Sequence, residues 1–130
     1  MQRDLKERTK NFSLRVIHFI QSLPRGLVID VIGRQLLRSA TSVAANYRAV
    51  RRARSRREFL SKLGIVEEEA DETAFWLELL VESKLVRAEA ASELRDEANQ
   101  LVAITVSSIR TARSGARLTV PRSAFRVPTS

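Results

Sequence analysis

The chain has 130 residues, 44% of them apolar, with only four glycines and three prolines; this suits one domain with a real core and argues against a β-rich fold, which needs frequent turn residues. It has no cysteine, which excludes disulfides and thiolate metal sites, and no run near the roughly 18 apolar residues of a membrane span, so no membrane partner is expected. The formal net charge is +8, which favours polyanions through long-range attraction, although basic proteins that bind no nucleic acid also exist.

Four helices are predicted in chain order. The first covers Asp4 to Gln21, where Leu5, Thr9, Phe12, Val16, Phe19 and Leu23 fall at alternating three- and four-residue spacings along one face. Its charged start, MQRDLKERTK, does not read as a signal peptide, so a reducing cytoplasm is the expected compartment. Leu23-Pro24-Arg25-Gly26 ends it.

The second helix runs from Leu27 to Arg51. Its apolar residues, from Val28 and Ile32 to Leu36, Leu37, Val43, Tyr47 and Val50, cover more than one face, which predicts neighbours on two sides. Gly33 inside it costs about 1 kcal/mol relative to alanine, and a close backbone approach is expected there. Gln35, Ser39, Ser42 and Asn46 make a small polar ridge at spacings of 4, 3 and 4, suited to close packing and cross-helix hydrogen bonds.

The third helix begins at Ser55 and ends near Ser83. Ser55 and Glu58 read as a capping box. Phe59, Leu63, Val66, Ala70, Thr73, Leu77 and Leu80 then repeat at 4, 3, 4, 3, 4, 3, a heptad seam. The fourth, from Ala88 to Ala112, has a seam of Leu94, Ala98, Leu101, Thr105 and Ser108, small enough for close packing. Short connectors favour antiparallel neighbours, so the expected fold is an all-α, up-and-down four-helix bundle over residues 1–113. Residues 114–130 hold three arginines, Arg117, Arg122 and Arg126, and no acid; they are expected to form a disordered basic tail.

Charge is segregated along the chain. Residues 31–57 carry eight arginines and no acid, whereas residues 58–97 carry twelve acids and four bases. Arg48, Arg51, Arg52, Arg54, Arg56 and Arg57 crowd the turn between the second and third helices. The planar guanidinium matches phosphate bidentately, which makes them candidate nucleic-acid contacts; a solvated basic turn is the competing reading. The opposite patches also invite head-to-tail self-association, with intramolecular pairing as the alternative. Arg38 is expected to pair with Glu69 and Glu72 across the bundle, giving with Ser39, Ser42 and Asn46 an interhelix polar network.

Nothing in the sequence reads as a catalytic constellation. His18 is the sole histidine, and no third group orients it as a base. A di-iron bundle site needs two Glu-x-x-His motifs, and Arg15 stands three residues before His18. The acidic run of Glu67, Glu68, Glu69, Asp71 and Glu72 reads as a solvated face, and Phe75 and Trp76 as core or interface packing. No enzyme activity, cofactor or metal is expected.

The segment QLLRSATSVAANYRAVRRARSRREFLSKLGIVEEEADETAFWLELL, with LKERTKNFSLRVIHFIQSLPRG upstream, resembles the 23S rRNA-intervening-sequence protein family over residues 4–112. The matching positions are Arg38, Ser39, Ser42, Asn46, Tyr47, Ser55, Phe59, Lys62, Glu69, Glu72, Thr73 and Trp76. The resemblance implies an antiparallel four-helix bundle tending to form a pentameric ring. It also implies a non-enzymatic association with RNA, more than DNA. Distant relatives serve as accessory proteins of diversity-generating retroelements beside a reverse transcriptase, so a protein partner such as a polymerase is the alternative. Ala49 departs from an acid common among relatives, and the arginine content of the following turn is also unusual.

Overall fold

The computed structural model describes residues 4–115. The arginines Arg117, Arg122 and Arg126, and with them nearly all of the expected tail, lie outside the described residues. Four helices follow one another: α1 (Leu5–Gln21), α2 (Leu27–Val50), α3 (Arg56–Glu82) and α4 (Ala88–Ser114). No strand occurs among the described residues. Each helix packs on the next in sequence, and α1 touches α4 along a shorter front, which makes an up-and-down antiparallel bundle.

The periodicities become the core. Thr9, Phe12, Ser13 and Val16 are the buried residues of α1. On α3 every member of the heptad seam is buried, with Ala74 added. Phe12, Leu36, Phe59, Leu77 and Leu80 are fully excluded from solvent. On α2, Ile29, Ile32, Leu36, Ala40, Val43, Tyr47 and Val50 pack inward, flanked by α1 and α3. Val28 and Leu37 do not join them; they remain exposed, as do Leu27 and Val31. Gly33 meets no backbone. A methyl group there would touch only Ile20 Cγ2 at 3.9 Å, an ordinary contact, so the expected close approach is absent.

Local chemistry sets the helix ends. Asp4 caps α1 by accepting from the Lys6 N–H at 3.0 Å. Ser55 caps α3, with its Oγ accepting from the Glu58 N–H at 3.0 Å. The expected capping box is only half formed, since among the described residues the Glu58 carboxylate does not return to the Ser55 N–H. The α3–α4 turn is a Schellman motif: the N–H of Lys84 bonds Val81 O and that of Leu85 bonds Leu80 O. Lys84 takes the left-handed position at φ +65°. Ser114, assigned to the tail by sequence, is the last residue of α4, and Gly115 at φ +75° caps it.

Antiparallel order brings three distant parts of the chain to one end of the bundle: the start of α1, the α2–α3 turn and the end of α4. Arg51 bridges to Asp4 there at 3.1 Å. Arg8 grips α4 further along through Glu97 at 2.7 Å and Gln100 at 2.7 Å.

Candidate nucleic-acid interface

The α2–α3 turn is short, and one residue decides how it projects its charges. Ala53 is fully buried, held by a hydrogen bond from its N–H to Val50 O. With Ala53 pinned inward, its neighbours Arg52 and Arg54 are exposed. The sequence presents six arginines as one cluster; the fold divides them. Arg48, Arg52 and Arg54 line a depression of about 560 Å³ between α2 and α3, together with Lys62, Glu58, Ala45 and Ala49. Arg51 is spent on Asp4. Arg56 and Arg57 occupy the first turn of α3, exposed and outside the depression.

Apart from Arg51, none of these arginines makes an ion pair among the described residues. Arg56 and Arg57 also face the positive end of the helix dipole, which disfavours cations by about 0.3–1 kcal/mol each. Arg110 and Arg113, exposed near the end of α4, come to this same end by topology, and Arg113, in the last turn, is favoured there by the dipole. The result is one strongly basic end of the bundle. Sequence reasoning placed Lys62 among the four bases of residues 58–97 and among the positions that match the family's pattern, without assigning it to the basic cluster. Its place four residues beyond Glu58 was the signal that the two share a face of α3.

The interhelix network forms around Arg38. Its Nη1 lies 3.2 Å from both carboxylate oxygens of Glu69, its Nη2 bonds Glu72, and its Nε donates to Gln35 Oε1 at 3.1 Å. Glu72 also accepts from Trp76 Nε1 at 2.9 Å. Beneath this, buried Thr73 Oγ1 lies 2.9 Å from Ser39 Oγ. Ser42 and Asn46 stay separate: Asn46 Nδ2 donates to the carbonyl and hydroxyl of Ser42, both at 2.9 Å, within α2. Thr73, Gln35 and Trp76 are the members that the sequence left out of the network.

His18 is exposed on α1. No group of acids and histidine able to hold a metal occurs among the described residues. No helix there is long and apolar enough to cross a membrane. Phe75 is 49% exposed, edge-on to Trp76 at 4.9 Å between ring centres, so it belongs to the surface and not to the core.

Comparison with known proteins agrees with this architecture. The chain is similar to a crystal structure of a protein of unknown function from the S23 ribosomal protein family of Bacteroides thetaiotaomicron. The two are 31% identical with a TM-score of 0.76, over 83% of this chain and 100% of the other. No curated protein matches. The family model described as 23S rRNA-intervening sequence protein matches residues 2–107, and the chain therefore belongs to that family.

Proposed function

We propose that the protein is a non-enzymatic, RNA-associated bundle that self-assembles and binds nucleic acid through its arginine-rich turn. The observation that carries this reading is that five arginines at one end of the bundle, Arg48, Arg52, Arg54, Arg56 and Arg57, make no ion pair among the described residues. Keeping like charges together costs folding energy; an anionic partner repays it. The guanidinium fork matches phosphate bidentately, and the family's intervening-sequence description favours RNA over DNA. Binding of this kind tolerates sequence and weakens steeply with salt.

The test is an anisotropy titration of structured RNA and DNA at about 50 and 200 mM salt. The six turn arginines are intact in one sample and alanine in the other, with oligomeric mass followed on both. Tight, salt-sensitive binding that collapses in an arginine-free variant of unchanged mass supports the reading. Absence of binding by the folded protein overturns it.

A second reading, a protein-interaction scaffold for a polymerase or other partner in the cytoplasm, is favoured by one feature. Leu27, Val28, Val31 and Phe75 expose apolar surface well away from the basic end, as a docking module would.

A further inference from the structure

We propose that the groove between the end of α2 and the start of α3, and not the arginine turn at large, is a site for a single nucleic-acid strand. In it Arg48, Arg52, Arg54 and Lys62 hold successive backbone phosphates over a floor of Ala45 and Ala49. The proposal rests on the RNA-associated reading above and narrows it to particular residues.

The shape comes first. The depression of about 560 Å³ is open to solvent and lies where the end of α2, the turn and the start of α3 meet. It has room for the backbone of one strand, whereas the two backbones of a duplex, held apart by grooves of about 6 and 12 Å, cannot both enter it. Ala45 and Ala49 on the floor carry only methyl groups, so a phosphate can approach within reach of the side chains around it.

The charge follows the shape. Four cations converge on the groove, and none of them has an ion pair among the described residues. Arg48 stands on α2, Arg52 and Arg54 in the turn that joins the helices, and Lys62 on α3. Arg56 and Arg57 contribute to the field but not to the groove. No aromatic residue lines it, so bases find no stacking platform and recognition runs through the backbone, tolerant of sequence. Glu58 is the single acid on the lining. Its carboxylate is free of the capping box, so it opposes phosphate instead of serving the fold.

The experiment uses the full chain and a labelled oligouridylate of about 12 nucleotides, beside an RNA hairpin duplex. Four charges neutralised by a single strand give roughly a 50-fold loss of affinity between about 50 and 200 mM salt. Arg48→Ala with Arg52→Ala should cut that fall to about sevenfold, since two neutralised phosphates are lost. The charge-matched pair Arg56→Ala with Arg57→Ala should cost less affinity than the groove pair and leave the salt dependence at about 50-fold, because those side chains add to the field without holding a phosphate. Ala49→Glu should abolish binding while leaving every cation in place, and Glu58→Gln should tighten it. Thermal melting of each variant checks the fold. Equal losses from the two arginine pairs, or a hairpin that binds as tightly as the single strand and is equally hurt by Ala49→Glu, would overturn the groove while leaving RNA association standing. If the wild-type chain binds neither RNA, the parent reading falls as well.

Discussion

Lys84 pays a conformational penalty at φ +65°, in the position of the Schellman motif where glycine is usual. A side chain in the left-handed region costs about 1–2 kcal/mol, part of which a glycine loses again in chain entropy. Lys84→Gly is therefore expected to raise stability by about 0.5–1 kcal/mol in urea unfolding; a loss of stability would show that the lysine makes a compensating contact. Tyr47 supplies a pH dependence. Burial raises its pKa above the ordinary 10.0, opposed by Arg51 and reinforced by Asp4. The neutral phenol is the form the fold prefers, so this contribution is complete below pH 10 and is lost as pH climbs through the raised value. Tyr47→Phe should flatten the alkaline fall in melting temperature above pH 10, and an unchanged alkaline limb would assign the fall to other groups.

At the scale of elements, α2 and α3 are joined by two kinds of interaction. Below is apolar packing with a Ser39–Thr73 hydrogen bond; above is the Arg38 cluster. Arg38 is half exposed while Glu69 is 14% exposed, so solvent screens the pairs and each contributes little alone. They share one guanidinium, however, and losses at one member should change the worth of the other. A double-mutant cycle of Arg38→Ala and Glu72→Ala is expected to show coupling of about 0.5–1.5 kcal/mol, and strictly additive losses would mean that the cluster is surface decoration. The heptad of α3 was fully legible because every seam position is apolar or small. The network was legible only in part. Thr73 was read as a seam residue, and whether a buried hydroxyl bonds across to α2 depends on the register of two helices.

Across the whole molecule, charge and apolar exposure lie in different places. Arg48, Arg52, Arg54, Arg56 and Arg57, which make no ion pair among the described residues, stand together at the α2–α3 end, while Leu27, Val28 and Val31 open the opposite end and Phe75 lies along α3. The proposed assembly and the proposed RNA binding should therefore respond differently to salt. Oligomeric mass by light scattering is expected to persist at about 1 M salt, where the screening length is near 3 Å, while RNA binding is lost. Dissociation to the single-chain mass at that ionic strength would instead place assembly on exposed charge pairs. Phe75 was read from sequence as core or interface, and its exposure removes the core from those options.

The sequence by itself determined the four helices, their order and the seams of α1, α3 and α4, because the period of apolar residues is a local property that tertiary contacts here only reinforce. It also determined the alternation of basic and acidic blocks. What the tertiary structure decided was which charges meet. Burial of Ala53 turned Arg52 and Arg54 outward, Asp4 took Arg51, and Lys62 joined Arg48 across a groove. Antiparallel packing brought Arg110 and Arg113 to the same end from some fifty residues away along the chain. A linear count of arginines cannot separate these fates, since each depends on the direction a side chain takes from a packed helix and on which neighbour stands in its way.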